Sequence, residues 1–235
     1  MEEALALAHR QSHAFSLAVA LMNVIPVLQI RREWSALQQH AEAAIAVCRE
    51  QGFESILAQA TMYRGYALAK QGQTEEGIAL MRGGLDAQLA TGAGLFRPSF
   101  LWFLAGAYGT AGRFEEGLAA VAEAIAIEEK TDERHDEAEL HRLKGDLLLR
   151  RSGIEAEPGV QTEAEECFRK AIEIARQQEA KSFELKAMTS LSQLWKQQGK
   201  KAEARQMLAE IYGWFSEGFD TKDLKDAKAL LEQLS

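Results

Sequence analysis

Asparagine and proline are scarce in this sequence, with one asparagine (Asn23) and three prolines among 235 residues. Their scarcity leaves little material for long loops, and together with 47% apolar and 26% charged residues it gives a helix-rich balance. An all-α fold follows. Cysteine is limited to Cys48 and Cys167, far apart and without metal-type or redox-type spacing, so they read as reduced structural thiols of a cytoplasmic protein. Positive charge is in deficit: 27 Lys and Arg against 35 Asp and Glu leave a formal charge of −8. Nucleic-acid binding relies on clustered cations to displace counterions, so DNA and RNA are not expected as partners. Long apolar runs are also missing. The most apolar stretch, Phe15 to Ile30, is interrupted by Ser16, Asn23, Pro26 and Gln29, and it falls short of the roughly 20 residues of a membrane span. Glu2 and Glu3 stand where a secretory signal would carry positive charge, so neither membrane insertion nor export is expected.

What the chain does contain is an internal repeat. Gln71-Gly72-Gln73-Thr74-Glu75-Glu76-Gly77 returns 40 residues later as Ala111-Gly112-Arg113-Phe114-Glu115-Glu116-Gly117. Gln198-Gly199-Lys200-Lys201-Ala202-Glu203-Ala204 carries the pattern forward, and Arg32 to Leu37 carries it back with the small residues replaced. A further unit reads Leu143 to Leu148 and then Ala164 to Ala171, with an insertion of seven residues placed around Ser152 to Thr162, where Gly153, Pro158 and Gly159 break helical periodicity.

These residues resemble the tetratricopeptide repeat, which has a small residue midway along its first helix, a glycine in the turn and two small residues in its second helix. Gly65, Gly72, Gly77 and Gly84 fill those places in one unit. Ala105, Gly112, Gly117 and Ala124 fill them in the next, and Ser192, Gly199, Ala204 and the larger Ile211 in the last. Leu68, Tyr108, Leu148 and Trp195 recur at a position that fills the space beside them. The period is longer than the usual 34 and overlaps that of HEAT and armadillo arrays; the turn glycine followed five residues on by a small residue favours tetratricopeptide. The expected fold is one all-α, right-handed superhelical solenoid over 1–235 of about five hairpins, near 12–51, 54–90, 97–130, 134–178 and 181–216. A capping helix is expected over 221–234, N-capped by Asp220 or Thr221. Residues 1–10 read as the tail of a preceding second helix, because Ala4 precedes Ala44 by one period; an array that continues upstream is the expectation.

Catalytic and cofactor motifs find no support. Gly72/Gly77 and Gly112/Gly117 have the glycine spacing of a phosphate-binding loop, but Ile78 and Leu118 stand where it needs lysine. His9 and His13 share a helical spacing without a third ligand, so no metal is expected. His135 and His141 lie among mixed charges and receive no role. The pairs Glu75/Glu76, Glu115/Glu116 and Glu165/Glu166 recur at equivalent places, which suits helix starts better than a cleft with two catalytic carboxylates. Gly106 and Gly109 in one first helix call for compensation by close approach of a neighbouring helix, or by a ligand beside Trp102. In the resembled fold the first helices line a concave groove, and the repeat pattern places Met62, Tyr66, Lys70, Trp102, Arg142, Asp146, Thr189, Gln193 and Lys196 there. Trp102 and Tyr66 are the candidate anchors, with core packing as the competing reading.

Two stretches, Ala138 to Leu149 and Ile211 to Thr221, resemble the C-terminal repeats of large bacterial STAND-type signalling ATPases. In these a cyclase, kinase or DNA-binding domain precedes the ATPase and a tetratricopeptide array closes the chain. The resemblance implies a non-catalytic protein- or peptide-binding module with no cofactor, acting as sensor or scaffold for an upstream ATPase or cyclase domain. A small-molecule-sensing domain and a self-associating architectural array are the alternatives.

Overall fold

A computed structural model describes residues 13–92, 96–131, 134–153 and 157–235. These hold eleven α-helices and no strand. They gather into two compact units, Met1–Ala111 and Gly112–Ser235. The expected helix tail over 1–10, and His9 with it, lie outside the described residues.

The first unit contains α1 (Ala14–Ile30), α2 (Trp34–Gln51), α3 (Glu54–Lys70), α4 (Thr74–Ala90) and α5 (Arg97–Thr110). Consecutive helices pack on one another, α3 on α4 most extensively. The cause is visible at the small residues. A Cβ on Gly77 would lie 2.5 Å from the Gly65 carbonyl oxygen, and one on Gly65 would lie 2.6 Å from that of Gly77. The two backbones therefore touch where neither residue has a side chain. One turn further along α4, Gly84 leaves the space taken by Met62, whose Cγ would be 2.5 Å from an added Cβ.

The second unit contains α6 (Phe114–Thr131), α7 (Glu137–Ser152), α8 (Pro158–Gln177), α9 (Lys181–Gln197), α10 (Lys201–Tyr212) and α11 (Lys222–Gln233). Its core runs through Phe168, Leu185, Met188, Leu191, Leu208 and Leu224, so the capping helix α11 is built into the same apolar cluster as the hairpins. Here the small and large partners change places: Gly145 on α7 is roofed by Phe168 of α8, 2.6 Å from where a Cβ would sit.

Turns between helices end in left-handed residues that let the next amide reach back to the helix just finished. Gly72 and Gly199 adopt φ of +93° and +80°, and the bonds Gln73 N–H to Leu68 and Lys200 N–H to Trp195 close those turns at 3.0 and 2.9 Å. At equivalent points Arg32 and Glu179 take φ of +58° and +55° with a side chain present. The seven-residue insertion is absorbed mostly by helix. Pro158 occupies the first turn of α8 and opens it earlier than the expected 161, because proline's fixed φ suits that turn. As a result Glu165 and Glu166 fall inside α8 and not at its start, and Glu165 instead pairs with Arg169 at 2.8 Å. His13 caps α1, its Nδ1 accepting from the Ser16 amide at 3.2 Å. Thr221 caps α11 by backbone alone, its hydroxyl turned to the Gly218 carbonyl at 2.7 Å.

Gly106 departs from the expected close approach, since an added Cβ there meets nothing within 4 Å. The same substitution should therefore have opposite signs at two helical glycines. Gly106→Ala should raise stability by roughly 0.5–1 kcal/mol through helix propensity. Gly77→Ala should lower it by about 1–3 kcal/mol, since the Gly65 carbonyl must move. Urea unfolding of the two variants checks the pair.

Candidate functional site

The residues expected to line a groove separate into three groups. Met62 is fully buried and Tyr66 is 6% exposed, so neither is a partner anchor. Gly84 makes the seat for Met62, and Tyr66 is closed in by stacking on Phe103 at 4.3 Å and by an edge contact with Trp34 at 5.6 Å. Lys70 is exposed, with its ammonium 5.2 Å from the Tyr66 ring, and Trp102 is half-buried against Phe103 at 5.1 Å. In the second unit Gln193 is exposed, and Lys196 donates to Gln233 of α11 at 2.6 Å. The Thr189 hydroxyl is engaged by the Leu185 carbonyl of its own helix at 2.7 Å.

Arg142 and Asp146 do come together, at the centre of a larger charged cluster. Glu139, Arg142 and Asp146 follow one another on α7 at spacings of three and four, which places them on one helix face. The Arg142 guanidinium is a fork: Nε and Nη2 donate to the two oxygens of Glu139 at 3.0 and 3.2 Å, and Nη1 donates to Asp146 at 2.5 Å. From α9, the Lys186 ammonium lies 3.7 Å from Glu139 and 3.9 Å from Asp223, which enters from the first turn of α11. Ser190 adds a hydrogen bond to the Asp146 carboxylate.

The cluster is sealed at one end and open at the other. Glu139 keeps 2% of its side-chain surface, whereas Asp146 keeps 32%. Burial alone would push the Glu139 carboxyl up, but Arg142 and Lys186 outweigh it and hold it below the usual carboxylate range. For Asp146 burial wins: together with the charge of Glu139 it pushes the carboxyl up, against the pull of Arg142 and Ser190. Burial also opposes the charge on Arg142, yet Glu139 and Asp146 fix it firmly in the charged form. The face formed by α7, α9 and α11 thus offers oriented donors and acceptors on rigid helices. Among the described residues no group of three His, Cys, Asp or Glu is placed to hold a metal ion, and no helix is long and apolar enough to cross a membrane.

Glu139, Lys186, Ser190 and Asp223 escape the repeat pattern. Glu139 could have been found from its spacing to Arg142; Asp223 could not, because it comes from a helix outside the repeat.

Comparison with solved structures shows the same fold. A kinesin light chain of Podosopora anserina with nearly identical TPR-like repeats matches with a TM-score of 0.58 at 16% identity, over 83% of this chain and 92% of that one. The apo form of RapI matches with a TM-score of 0.55 at 12% identity, over 97% of this chain and 68% of that one. The chain is therefore a helical solenoid of tetratricopeptide-like hairpins. An uncharacterized protein of Rhizobium meliloti (strain 1021) is 27% identical over 190 residues, which are 81% of this chain and 18% of that protein. No protein-family model matches the chain.

The two carboxylates should respond differently to loss of charge. Glu139→Gln removes the buried partner of Arg142 and Lys186 and should cost roughly 3 kcal/mol or more. Asp146→Asn, at a third-exposed group whose charge burial opposes, should change stability by less than about 1 kcal/mol. The folded-state pKa of Glu139 is depressed, so its contribution is fully present above the unfolded-state value and fades as pH falls through the folded value. Denaturant melts across acid pH should show this loss in the wild type and not in Glu139→Gln.

Proposed function

We propose that this chain is a non-catalytic protein- or peptide-binding module that engages its partner on the α7/α9/α11 face. We propose further that it serves as the cytoplasmic sensor or scaffold part of a larger bacterial signal-transduction ATPase. The observation that carries the reading is the charged cluster itself. Glu139, Arg142, Lys186 and Asp223 are held in place by one another, and the half-open carboxylate of Asp146 and the exposed amide of Gln193 stand beside them. An arrangement prearranged in this way binds without the cost of ordering its side chains, and it contains no activated nucleophile. The size of the Rhizobium meliloti protein, of which the matched segment is 18%, supports a module within a longer chain. The resemblance of Ala138 to Leu149 and Ile211 to Thr221 to the closing repeats of STAND-type ATPases supports the signalling context, with an upstream ATPase or cyclase domain as the intramolecular partner. Trp102 and Lys70 remain surface candidates in the first unit.

Peptides selected from a random display library on the purified chain test this reading. Their affinity should fall at least about tenfold, or roughly 1.4 kcal/mol, in the double variant Gln193→Glu/Lys196→Glu, with helicity unchanged. Undiminished binding of every selected peptide by that variant would overturn the assignment of the face.

A further inference from the structure

A second surface lies on another side of the second unit, between α8 and α10 with α9 as its floor. It is an open trough of about 630 Å³. Its floor is apolar, formed by Ile172 of α8, Met188 and Leu191 of α9 and Met207 of α10. The two rims carry opposite charge at matched spacing. Arg169 and Arg176 stand seven residues apart on α8, and Glu203 and Glu210 stand seven residues apart on α10. Seven residues are two helical turns, about 10.5 Å, so each pair forms a straight charged edge of the same length. Glu173, between the arginines, is occupied by Lys170 at 3.2 Å.

The arginines already have neighbours, Glu165 for Arg169 at 2.8 Å and Glu184 for Arg176 at 2.6 Å. They nevertheless keep 58% and 52% of their side-chain surface. A guanidinium has five donors, so each can accept a further carboxylate without giving up its present one. Trp195 lines the trough as well, beneath the Arg169 guanidinium at 5.3 Å, and stiffens that rim.

We infer that this trough is a docking site for an amphipathic helix of a partner protein, with an apolar stripe flanked by acidic residues on one side and basic residues on the other. Every wall is a helix and offers no free backbone edge. An extended strand lying there would leave its own amides without partners, whereas a helix satisfies them internally. The methionines of the floor can adapt to apolar side chains of different shape. Opposite charges on the two rims select a ligand with one flank of each sign and disfavour one with two like flanks, since a like pair would then face one rim. Reversal of the ligand's direction exchanges its flanks, so the selection is for mixed charge and not for one orientation.

Three synthetic helical peptides of about four turns (~14 residues) test the inference against the intact chain. They share one leucine stripe and differ in flanks: one acidic and one basic, both acidic, or both basic. The mixed peptide should bind wild type at least about tenfold more tightly than either of the others. The variant Glu203→Lys/Glu210→Lys should instead prefer the doubly acidic peptide, with far-UV circular dichroism confirming its fold. Amide shifts should map to α8, α9 and α10. Equal affinities for the three peptides, or no binding by any of them, would overturn the inference. So would shifts confined to the α7/α9/α11 face. Concentration-dependent dimers in which Met207→Glu abolishes association would also overturn it, because the occupant would then be a second copy of the chain.

Discussion

How near two helices can come is the constraint on which this structure depends. Between α3 and α4 the approach is backbone to backbone, the carbonyl oxygens of Gly65 and Gly77 each occupying the place of the other's missing Cβ. Between α7 and α8 the space left by Gly145 is filled by the Phe168 ring, and Met62 fills the space left by Gly84. Both solutions remove voids, and in both the helices are held at short separation by contacts that tolerate no added methyl group. A stack of such hairpins needs few loops, which explains why the chain manages with one asparagine and three prolines.

The charged face follows from this packing. Gly145 lies between Arg142 and Asp146 on α7, so the ring that seats against it also fixes the rotation of that helix. That rotation aims Glu139, Arg142 and Asp146 toward Lys186 and Ser190 on α9. The capping helix α11 then performs two tasks. Leu224, Ala227 and Leu230 close the apolar cluster, and Asp223 and Gln233 reach back to Lys186 and Lys196 of α9. Stability and the recognition surface are therefore built from the same helices, with the apolar and charged stripes on different sides.

The repeat, its small residues and the helical class were legible because they are periodic, and periodicity survives in a one-dimensional string. Burial of Met62 and Tyr66 was not, because a repeat pattern says which residues lie on the first helix but not how deep each sinks. That depth was decided by the glycine at position 84 and by the rings of Phe103 and Trp34. Arg142 and Asp146 were found from register alone, whereas Asp223 joins them only through the placement of a helix that belongs to no repeat. The start of α8 was misjudged for a local reason: Pro158 and Gly159 read as breakers, yet proline in the first turn begins a helix.

The central claim is that Glu139 is the buried anchor of a prearranged charged face on which Asp146 is the open, strained member. Side-chain carboxyl resonances of these two residues, followed by NMR through acid pH, test it most directly. In unfolded chains aspartate titrates slightly below glutamate, by about 0.4 units. In the folded protein the order should be reversed, with Glu139 below the usual range and Asp146 above it. Titration of both in the ordinary order would contradict the claim, since neither the anchoring of Glu139 nor the crowding of Asp146 would then exist in solution.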